Sequence, residues 1–154
     1  MTKSIQIKHR WTGDILFEGD SGMTMRTTIE KAIAAKTYLH GADLHGANLI
    51  SACLTGAFLQ DADLSCANLS GANLSGACLS CASLHEANLH GANLKDTNLK
   101  DTNLLGADLS GVDLSGASLH GANLRGRKLV GKRPFLTIGP IGSRCAYIQA
   151  WLTD

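Results

Sequence analysis

The sequence predicts a solenoid, a rod of short stacked repeats, on two observations. From Leu39 a leucine returns at every fifth position without a gap, and the last of nineteen is Leu129. Two residues before each leucine the position is small, as at Ala42, Ala47, Ala52, Ala57 and Ala62, with Thr97, Thr102 and Val112 the largest exceptions until Arg127. A period of five suits neither an α-helix, whose apolar face recurs every 3.6 residues, nor a flat strand, whose faces alternate every two. A fixed short repeat signals units that bury their apolar side only against their neighbours. The leucine and the small residue have the character of buried positions; the other three are largely Asn, Asp, Ser, Gly, His and Lys, as suits an outer surface.

The motif as it stands, Ala-Asp-Leu-His-Gly at 42–46, Ala-Asn-Leu-Ser-Gly at 67–71 and Ala-Asn-Leu-His-Gly at 87–91, resembles the pentapeptide-repeat family over residues 38–129. The resemblance implies an all-β solenoid: a right-handed quadrilateral β-helix with one pentapeptide per side and twenty residues per coil. On that geometry the eighteen leucines from Leu39 to Leu124 make about four and a half coils, a rod roughly 20 Å long at the ~4.8 Å spacing of paired strands. One buried leucine contributes ~1.5–3 kcal/mol and fixing one residue's backbone costs ~1–2 kcal/mol, so four leucines cannot order twenty residues unaided. The coils must stabilise one another through backbone ladders and stacking. Asn48, Asn68 and Asn88 fall in one column and Asn73 and Asn93 in another, and such columns are candidates for side-chain amide ladders.

A chain of 154 residues is one domain's worth, divided here into residues 1–37, 38–129 and 130–154. In the first part, Ile5 and Ile7, then Thr12-Gly13-Asp14, then Ile15 and Phe17, read as a β-hairpin. Thr27 with Glu30 makes a capping box, and Met25, Ile29 and Ile33 lie on one face of a short helix ending near Lys36. An open solenoid presents an unpaired strand edge, and a hairpin plus short helix is the expected cap for it. The rod is expected to end where Arg127 takes an inward position, since a guanidinium cannot share the axis with alanines. Beyond it, Phe135–Ile138, a Gly139-Pro140-Ile141-Gly142 turn and Ala146–Trp151 read as a short β C-terminal segment. The chain stops at Asp154 just after a strand-like run, which suggests a longer parent whose C-terminal part is missing.

Charge is segregated. Residues 1–37 carry six basic and four acidic groups, 38–124 two and eight, and 125–154 six and one, so an acidic rod joins basic ends although the net charge is only +1. That balance argues against direct nucleic-acid binding. Lys3, Lys8 and Arg10 interrupt any signal-like apolar run, and nothing approaches eighteen consecutive apolar residues, so the expectation is a cytoplasmic protein without a membrane contact.

Candidate chemistry is sparse. Of five cysteines, Cys53 and Cys78 precede their leucines twenty-five residues apart and Cys66 and Cys81 are fifteen apart, so none stacks on another; free thiols in a reducing compartment are expected. Cys78-Leu79-Ser80-Cys81 has the spacing of a redox or zinc pair, but no second pair follows. His40, His45, His85, His90 and His120 all follow a leucine, yet no two are one coil apart in one column; His45 and His85, two coils apart, stand near 10 Å on the ~4.8 Å spacing and cannot share a zinc. Gly126–Arg133 nearly spells a phosphate-binding loop but lacks the Ser or Thr for magnesium and runs into Pro134. No base, nucleophile and orienting group share a spacing, and a leucine- and alanine-filled rod has no cavity for a substrate, so neither catalysis nor a cofactor or metal is expected.

The carboxylates are the most informative exposed feature. Asp43 and Asp63 are one coil apart in one column, Asp61 lies at the adjoining corner, and Glu86 is one side-length away on the next coil. Like charges at this range repel, so stability does not ask for them. Phe58 stands where its neighbours have Asn or Asp, a candidate anchor. The leading expectation is a non-catalytic scaffold that binds another protein. Its alternative comes from the resemblance: some pentapeptide-repeat proteins, the fluoroquinolone-resistance group and relatives that shield toxin producers, are implicated in binding DNA gyrase by mimicking duplex DNA. Duplex DNA carries a charge per ~1.7 Å, about a dozen over this length, against a net −6 over residues 38–124. The inserted loop and apolar C-terminal helix of some such proteins are not evident here.

Overall fold

The computed structural model describes residues 3–125. The segment 130–154, together with Arg127, Leu129 and the loop 126–133, lies outside the described residues.

Strands β1 (Gln6–His9) and β2 (Ile15–Glu18) pair antiparallel, with Ile7 opposite Phe17 and a register irregularity between Ile7 and Lys8. The connection closes through His9 N–H to Asp14 O at 2.8 Å and Gly13 N–H to His9 O at 2.9 Å. Helix α1 (Met25–Ala34) follows, with Met25 on it as expected but with a capping box other than Thr27 and Glu30. The N-cap is Thr24, whose hydroxyl accepts from Thr27 N–H at 3.2 Å, while the Thr27 hydroxyl accepts from Thr24 N–H at 2.9 Å. A threonine at the third helical position thus performs the return bond usually made by Glu or Gln. Glu30 is thereby left free to reach elsewhere. At the other end Lys36 turns left-handed (φ 57°), Lys36 N–H reaches Ile33 O at 2.8 Å and Thr37 N–H reaches Ala32 O at 3.0 Å. These two bonds stop the helix and aim the chain into the repeats.

From Leu39 onward every pentapeptide makes the same turn. The N–H of the small residue donates to the carbonyl of the leucine three residues back, as Ala42 to Leu39 at 3.1 Å and Ala67 to Leu64 at 3.1 Å. Such a turn needs positive φ at its third position, which explains the glycines there; where the residue is instead Ser51, Asp61, Cys66, Cys81, Glu86, Asp96 or Asp101, φ is still 54–58°. Between turns the chain is extended for single parallel bridges, each to the residue twenty positions on, from Asp43↔Asp63 to Asn103↔Asn123. Leu44 N–H donates to Asp63 O and Asp63 N–H donates back to Ala42 O, both at 2.8 Å, and the pattern repeats along the rod.

Leucines and small residues face inward as expected, Leu39 to Leu104 being at most 1% exposed. Thr97 and Thr102 are buried in the small position without cost, because their hydroxyls donate to Leu74 O at 2.9 Å and Leu79 O at 2.8 Å. Ile7 of β1 and Ile29 and Ala32 of α1 belong to the same core. Strand β3 (Ala42–Asp43) joins β1 antiparallel in the order β2-β1-β3, with Lys8 opposite Asp43, so the hairpin and the first turns of the rod form one sheet.

The asparagine columns behave differently from expectation. A side-chain amide rung forms from Asn123 Nδ2 to Asn103 Oδ1 at 3.3 Å. At Asn68, Asn73, Asn88 and Asn93 the amide oxygen instead accepts the backbone N–H two residues on, at 3.0–3.2 Å. The local bond forms because the turn fixes that N–H within reach, and it does not exclude a rung, since Asn103 Oδ1 accepts Leu105 N–H at 3.1 Å as well as the Asn123 amide.

Candidate functional site

The same local bond accounts for several of the carboxylates. Asp43 accepts from His45 N–H at 3.2 Å, Asp108 from Ser110 N–H at 3.0 Å and Asp113 from Ser115 N–H at 2.9 Å, each as asparagine does in its place. Stability does therefore use an oxygen at these positions, and Asp and Asn both supply it. On Asp113 the Ser115 hydroxyl and amide bonds hold the carboxyl below its ordinary range.

Asp61 and Asp63 meet a cation from the hairpin. Arg10 Nη1 donates to Asp61 O at 3.2 Å and Arg10 Nη2 stands 3.6 Å from Asp63 Oδ2; His40 Nδ1 lies 3.5 Å from Asp61 Oδ2. For Asp63, burial alone would raise the carboxyl pKa, but the Ser65 hydroxyl and amide, then Arg10 and His45, outweigh it and the net shift is downward. Arg10 thus lies between the Asp61 backbone and the Asp63 carboxylate, with Asp43 beside Asp63 on the ladder. Glu86 stands apart, at a corner of positive φ, its carboxylate 3.7 Å from His85 Nε2 and 3.9 Å from Cys66 Sγ.

Phe58 is 40% exposed and stacks on Tyr38, twenty residues earlier, with centroids 5.0 Å apart. Tyr38 is itself 72% exposed, and in the same chain segment His40 approaches His9 of β1 at 6.2 Å between centroids. His9 meets Trp11 edge-on at 5.4 Å; Trp11 is 63% exposed and lies beneath the Arg10 guanidinium at 5.1 Å. The rings thus form two groups near the hairpin and the start of the repeats, Trp11–His9–His40 and Tyr38–Phe58, related only through the chain between Tyr38 and His40. Of these the sequence marked Phe58 as an anchor and weighed His40 only for metal binding. The twenty-residue spacing was the signal for Tyr38, whereas the approach of Trp11 and Arg10 depends on how the hairpin docks.

Among the described residues no three of His, Cys, Asp and Glu converge to hold a metal, and no helix is long and apolar enough to cross a membrane. Cys53, Cys66 and Cys81 are exposed free thiols and Cys78 is partly buried. His45 and His90 spend a ring nitrogen on the serine of the next coil, Ser65 at 3.3 Å and Ser110 at 2.8 Å.

A leucine every five residues, a turn at each, and a ladder partner twenty residues on define a repeat protein whose unit is the pentapeptide. The chain belongs to the pentapeptide-repeat family: the pattern of that family, Pentapeptide repeats, matches in eight copies over residues 25–61, 52–91 and 92–126. Among solved structures it is similar to the pentapeptide repeat protein Rfr23 from the cyanobacterium Cyanothece 51142, with 36% identity over 59% of this chain and 55% of that one, at a TM-score of 0.36. A pentapeptide repeat protein from Nostoc PCC 7120 is 32% identical over 70% of this chain and 96% of that one, with a TM-score of 0.41. QnrB1, a plasmid-mediated fluoroquinolone resistance protein, is 21% identical over 59% of this chain and 39% of its own length, with a TM-score of 0.37. The chain thus spans about half the length of Rfr23. No curated protein matches.

Proposed function

We propose that this chain is a non-catalytic protein-binding scaffold, a right-handed quadrilateral β-helix of about four and a half coils whose contact surface is the aromatic cluster at its N-terminal end. The single observation that supports the reading is the exposure of Trp11, Tyr38 and Phe58 near the start of a laddered, leucine-filled rod. Trp and Tyr, with Arg beside them, are the residues that dominate the energy of protein interfaces, because they bury large area at low entropic cost. Residues 1–37 serve as the cap, supported by the sheet that β1 shares with β3 and by the burial of Ile29. Exposed thiols at Cys53, Cys66 and Cys81 fit a cytoplasmic setting. The partner is another protein, bound without a cofactor.

A second reading, a DNA-mimicking regulator or protector of a DNA-binding enzyme such as DNA gyrase, draws on the acidic balance of residues 38–124 and would engage Asp43, Asp61, Asp63 and Glu86. The pairing of Arg10 with Asp63 favours the first reading, since it neutralises part of that surface.

One experiment separates the two: affinity capture from a bacterial lysate with the natural chain, with Trp11→Ala/Tyr38→Ala/Phe58→Ala, and with Asp43→Asn/Asp61→Asn/Asp63→Asn, at low and moderate salt. A partner lost with the aromatic variant, kept with the Asn variant and indifferent to salt is the expected result. A partner that survives the aromatic changes overturns the scaffold surface proposed here. A topoisomerase lost with the Asn variant and with salt establishes the second reading.

A further inference from the structure

A serine that follows a leucine bonds differently after Asp than after Asn. Where Asn68 precedes Ser70 and Asn73 precedes Ser75, the amide oxygen takes only the serine N–H. Where Asp63 precedes Ser65, Asp108 precedes Ser110 and Asp113 precedes Ser115, the carboxylate takes the serine hydroxyl as well, at 2.6 Å in the second pair and 2.5 Å in the third. The hydroxyl bond follows the Asp and not the residue one coil earlier, which is Lys95 before Ser115 and a histidine before the other two. A carboxylate only accepts, so the one hydroxyl proton lies between the two oxygens and the serine oxygen has only acceptor capacity left.

The two histidines meet that oxygen across the ladder. His45 Nδ1 stands 3.3 Å from Ser65 Oγ, and His90 Nδ1 stands 2.8 Å from Ser110 Oγ. With the serine proton committed to the carboxylate, Nδ1 must donate, so the neutral ring carries its proton there and Nε2 is bare. His85 reaches the same tautomer without a serine, because its Nδ1 is 2.9 Å from the Leu105 carbonyl, which has no proton to offer. Ser110 is buried, so its hydroxyl depends on these two partners.

We propose that Asp63 and Asp108 are positioning residues in an inter-coil relay, from histidine Nδ1–H to serine to carboxylate, that locks His45 and His90 in the Nδ1–H tautomer. Each relay ties one coil to the next beside the backbone rungs. It also changes what the surface offers: one oxygen of each carboxylate is engaged within the rod, and an exposed ring one coil earlier presents a neutral acceptor nitrogen. A hydrogen-bond donor is what fits at that point.

The test reads the tautomers of the full chain, nitrogen-labelled at histidine, by long-range proton–nitrogen correlation NMR at a pH well above the ordinary histidine range. His45→Gln, His85→Gln and His90→Gln assign the signals. The natural chain is expected to show a protonated Nδ1 and a bare Nε2 at all three rings. Asp108→Asn keeps an oxygen for Ser110 N–H, as Asn68 and Asn88 do in the same column, but frees the hydroxyl to donate to Nδ1. The His90 signal is then expected to move to the Nε2–H form while His45 and His85 stay as they were; Asp63→Asn should move His45 alone. A merely structural role for these carboxylates would lower the melt without moving a tautomer. Nε2–H rings at His45 and His90 in the natural chain overturn the relay, and so does a His90 signal unchanged by Asp108→Asn in a folded chain. If loss of the His85 signal shows that Asp108→Asn does not fold, Asp63→Asn at His45 is read by the same criterion.

Discussion

Replacing Gly76 and Gly116 by alanine separates two forces at the corners of the rod. Gly76 has φ +66° and a Cβ there would meet nothing within 4 Å, so Gly76→Ala measures conformation alone. A left-handed L-residue costs ~1–2 kcal/mol, and the stiffer unfolded chain of alanine returns ~0.4–1 kcal/mol of that. The expected loss is about 1 kcal/mol. Gly116 has nearly the same φ, +72°, but its Cβ would overlap the carboxylate Oδ1 of Asp96, the corner residue one coil earlier, and would stand 3.6 Å from Asp96 Cα. Asp96 is exposed, so its carboxylate swings aside at about the cost of one off-rotamer torsion, ~0.5–1.5 kcal/mol, and Gly116→Ala should lose about 2 kcal/mol. Urea titration followed by circular dichroism, with the slope checked for constancy, gives both values. Asp96→Gly in the Gly116→Ala background should restore the loss to the Gly76→Ala level or better. Equal losses at the two glycines, or no loss at Gly76, would refute the corner argument.

Three further outcomes follow from the same geometry. Leu79→Asp places a carboxylate at a fully buried mid-rod position, and a thermal scan should show no cooperative transition; a melt within a few degrees of the natural chain would contradict the buried-leucine core. Thr28 is buried and its hydroxyl has no hydrogen-bond partner among the described residues, so Thr28→Val should stabilise by about 1 kcal/mol in urea titration, with a loss as the contrary result. The Asp63 carboxyl is held below its ordinary 3.8, so the stability it adds is present above that value and is lost as pH falls through the folded one; Ser65→Ala or Arg10→Ala should weaken the fall in denaturation midpoint below about pH 4, and an acid limb of unchanged steepness would count against the assignment.

The repeats were legible because one residue type repeats at one spacing: Leu39 through Leu124 could be assigned an inward position from their period, and Thr97 and Thr102 could be placed in the core though not given their carbonyl partners. Met25 was placed on the helix, but the capping box was set three residues late because Thr24 and Thr27 carry the same hydroxyl and only Thr27 is followed three positions on by a Glu. That Glu30 serves the first coil instead could not be read locally, since its partner is twenty-three residues away. For the candidate site the limit was chemical. Asp and Asn offer the same oxygen to the N–H two residues on, so the letter Asp43 alone does not separate a turn bond from a binding charge. Arg10 escaped notice because its role arises from the docking of a hairpin onto Asp61 and Asp63, contacts between segments about fifty residues apart.

The ladder distance of twenty and the leucine distance of five separate two coordinates of the surface, height and azimuth. Removing residues 43–47 would leave every leucine in phase and the core filled, yet all that follows would step round by one column: Tyr38 would then lie under Asp63 in place of Phe58. Removing residues 43–62 would keep the azimuth and shorten the rod, bringing Cys78 over Tyr38. Insertions and deletions in fives thus keep the leucine period while changing which outward side chains are neighbours.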